Sequence, residues 1–249
     1  MCNNYDIVYK MIIIGDDSVG KSNLLERYIN DKFDNNYIYV STIGVDVKSK
    51  ISKLTINISD ECNHKTKINL IYKLQIWDTS GHDRFASIVN NYYKSSNIIV
   101  VCFNTKFKNC KGSMYFVTRL LYNVVLHIQE NKSCKIYILG TQIDCHYGQN
   151  INDLYKSDEF KKLIKQWKYI FGAKFLGVCS SKTNEFIPYD DVNDEFKTNT
   201  INDLFDLIAR TYIDCDENPA IIKLKKTKST SIISKLYADI ISRPCCSLQ

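Results

Sequence analysis

The sequence predicts an α/β domain over residues 1–213, built on a mostly parallel six-stranded sheet with helices on both faces, and a separate tail over 214–249. Two observations carry this. Short apolar runs rich in Ile, Val and Tyr alternate with stretches of helical period, the pattern of parallel strands joined by crossover helices. Several of the runs stop at a glycine or a polar cluster, as strands do where the chain turns at the sheet edge. In such folds ligands gather at the C-terminal ends of strands.

Taken in order, Tyr5 to Ile14 reads as a buried strand, because IVYKMIII is β-branched and ends at a glycine, and Lys21 to about Asn30 reads as a helix. Val45 to Ile58 is a weaker strand whose alternation shifts phase midway. Asn69 to Trp77 alternates cleanly, with Leu70, Tyr72, Leu74 and Ile76 on one face. These two form a hairpin, and its polar connection at 59–67 is long enough to read as an insertion. Further strands fall at Asn97–Phe103, Lys135–Gly140 and Lys174–Val178, with helices near 112–130, 157–170 and 200–213. The acidic segment 184–199, which carries Pro188, is expected to be a mobile surface loop.

Composition excludes several function classes. The 249 residues carry a net charge of +6 with no arginine-rich stripe, so a nucleic-acid partner is not expected. The N-terminus MCNNYDIVYK lacks a charged leader followed by an apolar run, which makes a cytosolic chain with reduced thiols the expectation. Eight of the ten cysteines are scattered without CxxC spacing, so no structural metal is expected. No apolar run is long enough to span a bilayer.

The chemistry concentrates in one motif. Gly15-Asp16-Asp17-Ser18-Val19-Gly20-Lys21-Ser22 fits GxxxxGK[ST] between a strand and a helix, the place where backbone N–H groups and a helix N-terminus can face a phosphate. Lys21 would reach the β and γ phosphates, and the Ser22 hydroxyl would bind Mg²⁺. A phosphate loop alone does not separate ATPases, kinases and GTPases.

Four further segments do. Asp78-Thr79-Ser80-Gly81-His82-Asp83-Arg84-Phe85 resembles the WDTAGQERF segment of small GTPases, and Ser41-Thr42-Ile43-Gly44-Val45-Asp46 resembles the switch I core of the Rab type. Thr141-Gln142-Ile143-Asp144 stands where that family has NKxD, and Ser180-Ser181-Lys182 where it has SAK. IGVDVK, KLQIWDT, RFASI and Tyr92-Tyr93 resemble Rab segments rather than those of Ras, Rho or Ran. The chain is thus similar to a divergent Rab-type small GTPase over about residues 5–213, and GTP or GDP with Mg²⁺ would be its ligands.

The resemblance implies a role for each matching residue. Asp78 would hold the Mg²⁺ shell, Thr42 would close over the ion, and the Gly81 amide would sense the γ-phosphate. Phe33 would lie against guanine, Asp144 would accept from guanine N1–H and N2, and the Ser181 amide would bind O6. Val47, Trp77 and Tyr92 match the usual effector trio, with Val47 a departure; packing against the sheet is an equal reading for Trp77 and Tyr92. His82 replaces the Gln that positions water, and Asp17 replaces Gly or Ser. Loss of the Asn and Lys at Thr141 and Gln142 is expected to remove contacts tying the base to the phosphate loop.

Cys245-Cys246-Ser-Leu-Gln resembles a Rab dicysteine prenylation signal, and Cys246 to Gln249 also reads as a C-a-a-X box. Lys223, Lys225, Lys226 and Lys228 precede it, and Ser231 to Ser242 splits into apolar and polar halves on a helical wheel. That segment reads either as a membrane-lying helix or as an extended tail ordered by an escort protein. The resemblance implies a monomeric vesicle-traffic switch on the cytoplasmic face of an intracellular membrane, with a cytosolic pool. It also implies an exchange factor, a GTPase-activating protein, a GDP-dissociation inhibitor or escort, and effectors. A second reading is a pseudo-GTPase scaffold that binds nucleotide weakly or without turnover. A nucleotide kinase is disfavoured, since WDTSG and SSK would have no role there.

Overall fold

The computed structural model describes residues 5–34, 42–59, 65–106, 110–128, 133–145, 151–189 and 198–213. Seven strands form one sheet in the order β2-β3-β1-β4-β5-β6-β7. They are β1 Ile7–Gly15, β2 Val45–Ser59, β3 Lys65–Thr79, β4 Ile98–Asn104, β5 Lys135–Thr141, β6 Lys174–Ser180 and β7 Glu185–Pro188. β3, β1, β4, β5 and β6 are mutually parallel, and the outer strands β2 and β7 run antiparallel to their neighbours.

Six helices cover the sheet: α1 Lys21–Asn30, α2 Ala86–Tyr93, α3 Cys110–Ile128, α4 Ile151–Lys156, α5 Asp158–Phe171 and α6 Ile201–Ile213. Alternate residues of β1 feed two cores. Met11 and Ile13 join Leu24, Leu25 and Tyr28 of α1 and Phe205 and Ile208 of α6 on one face. Ile12 and Ile14 join residues of α2, α3 and α5 on the other. Burial on both faces is why β1 reads as a continuous apolar run. In β3 the predicted alternation holds, with Tyr72, Leu74 and Ile76 buried toward α1 and α6.

The structure departs from the sequence reading at three places. The hairpin strands pair without interruption from Val45↔Thr79 to Ser59↔Lys65, so Ser59 and Lys65 to Lys67, expected in the insertion, are strand. Only 60–64 of that segment lies outside the described residues. The segment expected to be a loop from 184 begins instead with β7, the seventh strand. Phe186 of β7 is buried opposite Cys179, and this strand can lie close only because position 177 is glycine: a Cβ there would stand 2.2 Å from the Ile187 carbonyl oxygen. Residues 190–197 of that segment lie outside the described residues, as do Ser41 and all of 214–249, including Cys245 and Cys246. The third departure is α2 and α4, two short helices absent from the sequence reading; α2 is anchored by Val89 and Tyr93 one turn apart.

Among the described residues no helix is long and apolar enough to cross a membrane. Burial pushes the thiols of Cys102 and Cys134 up to about 12, so neither is a nucleophile at neutral pH.

Candidate functional site

The C-terminal ends of β1, β3, β5 and β6 carry four of the five predicted motif segments to one end of the sheet, and the fifth, the Thr42 segment, enters there at the start of β2. There a cavity of about 120 Å³ is lined by residues including Asp17, Ser18, Lys21, Ser22, Thr42 and Gly81. The loop from β1 to α1 forms its floor. Gly20 sits at the helix N-cap in the left-handed region, φ 90°, and no side chain caps α1 there. The first-turn amides are therefore open to an anion.

Lys21 lies back along this loop, its ammonium donating to the carbonyls of Gly15 at 3.0 Å and Asp16 at 2.7 Å. An ammonium has three N–H donors, so one is left for a ligand. Burial lowers the Lys21 pKa, and the neighbouring Cys102, Asp78, Asp17 and Asp16 oppose that shift. A phosphate above the loop would oppose it further, which is a physical reason for the cavity to favour an anion.

Beside the lysine stands a second group of oxygens. The hydroxyls of Ser22 and Thr42 lie 3.0 Å apart, although 20 residues separate them. The Asp78 Oδ1 atom is buried with no hydrogen-bond partner among the described residues. Burial raises the Asp78 pKa, against the pull of the Ser22 hydroxyl and the Lys21 and Lys48 ammonium groups. Two hydroxyls and a buried carboxylate with a spare oxygen suit a hard divalent cation, so the donor set fits Mg²⁺.

That shift gives a prediction with a definite sign. A carboxyl whose folded pKa is raised stabilises the fold fully below its unfolded value, and that contribution is lost as pH rises through the raised value. At neutral pH, without a cation, Asp78→Asn should therefore raise the unfolding free energy by roughly 1 kcal/mol. The same variant should lose the Mg²⁺ dependence of nucleotide retention. Thermal melts with and without Mg²⁺ check both; a destabilised variant in the cation-free melt would contradict the assignment.

The remaining phosphate-side residues are tied together. The Ser80 N–H donates to the Gly44 carbonyl at 2.9 Å, joining the Thr42 segment to the Asp78 segment. Gly81 presses on the phosphate loop: a Cβ at 81 would lie 2.4 Å from the Asp17 amide nitrogen and 2.5 Å from the Asp16 carbonyl carbon. Only glycine allows that approach. His82 follows, with Nε2 3.8 Å from Asp17 Oδ2, both side chains about one third exposed. The two departures from the family pattern are thus neighbours, which their distance in sequence concealed.

On the base side, Thr141 and Gln142, which stand in place of the family's Asn and Lys, each bond to the phosphate loop. Thr141 is buried, and its hydroxyl lies 2.6 Å from the Val19 carbonyl and 2.9 Å from that of Phe103. With one hydroxyl hydrogen it serves these acceptors in turn or shares it between them. Gln142 Nε2 donates to the Ser18 carbonyl at 2.7 Å from a backbone held at φ 62°. Shorter side chains make the same connection because β5 ends directly beside the loop.

Asp144 is exposed, and its Oδ1 accepts from the buried Ser180 hydroxyl at 2.7 Å. The Ser181 and Lys182 carbonyls are gripped by Arg27 of α1, at 2.8 and 3.2 Å. Arg27 is a positioning residue that the sequence reading missed; the only signal was a lone arginine on the predicted helix. Phe33 is half-buried in the chain just after α1. Away from the cavity, Val47 and Trp77 are cross-strand partners, and the Trp77 ring lies 4.2 Å from that of Tyr92. Val47 is half-exposed, while Trp77 and Tyr92 pack partly against the core under α2 and α3.

Comparison with known proteins agrees with this arrangement. The model of the Ras family matches residues 10–188. The GTP-binding protein YPT1 of Saccharomyces cerevisiae is 35% identical over 140 residues, 55% of this chain and 61% of that one. The Ras-related protein Rab-1 of Theileria parva is 31% identical over 162 residues, covering 65% and 63%, and the GTP-binding protein YPTM1 of Zea mays is 34% identical over 158, covering 61% and 69%. The chain thus spans less than two thirds of the length of the first two of these relatives and slightly more of the third.

Proposed function

Because the chain belongs to the Ras family of small GTPases, we propose that it is a Rab-like guanine-nucleotide switch that slowly hydrolyses GTP and regulates vesicle traffic on a membrane surface. The observation that carries this reading is the convergence of Lys21 and the Ser22–Thr42 hydroxyl pair on one cavity, with the buried Asp78 carboxyl behind Ser22 and Lys21 and with Asp144 held by Ser180 on the base side.

In this reading the amides from Asp17 to Lys21 hold the phosphates, and Lys21 donates its remaining N–H to the β and γ groups. Ser22 and Thr42 would hold Mg²⁺ and Asp78 would orient its shell, and the ion would supply positive charge against that developing on the phosphate oxygens. Thr42 would hold the ion only with the γ-phosphate in place, so loss of that phosphate would free the segment joined to it through Ser80 and Gly44. The Gly81 amide senses the γ-phosphate, and His82 stands where water is positioned. Phe33, the Ser181 amide and Asp144 take the guanine, with Thr141, Gln142, Ser180 and Lys182 supporting that loop. Val47, Trp77 and Tyr92 form the effector surface. Exchange factor, GTPase-activating protein and dissociation inhibitor or escort act on the switch, and the chain works as a monomer on the cytoplasmic face of an intracellular membrane.

The nucleotide that co-purifies with the protein, extracted and chromatographed, tests this directly. GDP or GTP is expected; an empty site would favour the scaffold reading. The membrane half rests on Cys245 and Cys246, taken as prenylation sites. Replacing both by Ser should move the protein from the membrane fraction to the cytosol, because lysines alone bind only transiently. Unchanged fractionation of the double variant would show that lipid on these cysteines is not the anchor.

A further inference from the structure

The flank of the domain along α5, which runs away from the nucleotide cavity toward the start of β6, carries an exposed basic and aromatic surface that the switch does not use. Helix α5 buries Phe160, Leu163, Ile164, Trp167 and Phe171 and turns its other side to water. That side holds Lys161, Lys162, Lys165 and Lys168, none with an ion-pair partner among the described residues. No acidic residue lies between Lys161 and Phe171; the helix's acids, Asp158 and Glu159, are in its first turn. At the C-terminal end Tyr169 is 92% exposed and Ile170 54%, and Tyr122 of α3, itself 54% exposed, stands edge-on to Phe171 at 4.8 Å.

The position of this surface matters as much as its chemistry. α5 ends at Gly172, immediately before β6, so Tyr169 and Ile170 lie at the N-terminal ends of the parallel strands. The chain leaves the described fold at the same end: the Tyr212 hydroxyl, one residue before Ile213, accepts from Asn97 at the start of β4. Beyond Ile213 the sequence carries Lys223, Lys225, Lys226 and Lys228 and then Cys245-Cys246.

We propose that the exposed face of α5, with Lys161, Lys165 and Lys168 leading to Tyr169 and Ile170, is a lipid-facing surface that lays this flank of the domain against an anionic bilayer, with Tyr169 and Ile170, at the end away from the nucleotide cavity, among the headgroups. Lysine stems with charged heads and an amphipathic ring are the side chains that settle at the headgroup level. An acidic protein would be served by the lysines but would leave Tyr169 and Ile170 without a role. The inference rests on the reading that the protein works at a membrane, but it concerns the folded domain rather than the lipid anchor. A tail alone would tether the domain in any orientation, whereas this face fixes one and presents the Val47–Trp77–Tyr92 side in a constant attitude.

The full, unlipidated chain tests it by co-sedimentation at low salt with vesicles of phosphatidylcholine, with and without phosphatidylserine. The native chain should bind only the anionic vesicles. Lys165→Glu with Lys168→Glu should weaken binding by about 25-fold or more, at about fivefold per lysine near an anionic surface. Tyr169→Ala with Ile170→Ala should weaken it severalfold, and replacing the four tail lysines by Gln should leave a residual binding that the α5 variants abolish. GDP release should be the same in all variants, showing that the domain is folded. Anionic binding unchanged by the α5 substitutions, or no binding by the native chain, overturns the proposal, as does equal retention on an immobilised acidic polypeptide. Each of these outcomes is independent of the nucleotide and cysteine tests of the switch itself.

Discussion

The native protein is expected to bind GDP at least about 100-fold more tightly than ADP, and Asp144→Asn to shift its preference toward xanthine nucleotides. The reason lies in the donor pattern. A carboxylate only accepts, and guanine offers it N1–H and the N2 amino group side by side. Adenine presents an unprotonated N1 and no amino group at C2, so the carboxylate would be covered by the base without a donor. A factor of 100 corresponds to about 2.7 kcal/mol, within the cost of leaving a charged group desolvated and unpaired. Asp144 is exposed but already aimed, because the Ser180 hydroxyl holds Oδ1 at 2.7 Å. Ser180→Ala should therefore weaken guanine binding by roughly tenfold without altering the order of preference, since it removes orientation and not chemistry. Xanthine carries a carbonyl at C2, which an Asn amide can serve as donor. Competition of unlabelled GDP, ADP and xanthosine diphosphate against a fluorescent GDP measures all three claims. Equal competition by ADP would sink the assignment of Asp144.

Much of this was legible in the sequence because the relevant signals are local. Lys21 to Asn30 was a helix by its pattern, and it is α1 to the residue. The phosphate loop, the Asp78 segment and the Ser180 segment could be placed at strand ends because each follows an apolar run. What escaped were features made by contacts distant in the chain. β7 has only four residues and includes a proline, so its strand character comes from Gly177 opening space on β6 rather than from its own propensity. The grip of Arg27 on Ser181 and Lys182 spans more than 150 residues. Thr141 and Gln142 read as losses against the family motif, because the motif names side chains and not the distance they must cover. With β5 ending beside the loop, a threonine hydroxyl and a glutamine amide reach the carbonyls of Val19 and Ser18. These bonds join the two segments of the chain; they do not replace contacts of the family's Asn and Lys with the base.

His82→Gln is expected to speed intrinsic GTP hydrolysis by roughly tenfold, about 1.4 kcal/mol of barrier, from a native rate at or below the Ras scale of about 3–5 × 10⁻⁴ s⁻¹. A glutamine amide brings an acceptor and a donor on a flexible arm, which can hold water and a γ-phosphate oxygen together. Imidazole carries both only when neutral, on a shorter and rigid ring, and imidazolium has no acceptor at all. The geometry adds a second handicap. Asp17 Oδ2 stands 3.8 Å from His82 Nε2, beyond a hydrogen bond but close enough to attract a protonated ring toward the phosphate loop. Gly81, packed against the backbone of Asp16 and Asp17, fixes the point from which the ring starts. Asp17 also places a carboxylate on the cavity wall, where it would repel the γ-phosphate and crowd an incoming arginine. Asp17→Ser should therefore restore more of the response to an activating protein than of the intrinsic rate. Because the two side chains are neighbours, the double variant should depart from the product of the single effects. Single-turnover hydrolysis on preloaded GTP measures each variant. A native protein that equals or outpaces its His82→Gln variant would show that His82 positions the water as well as glutamine does, and the slow-timer reading would be wrong.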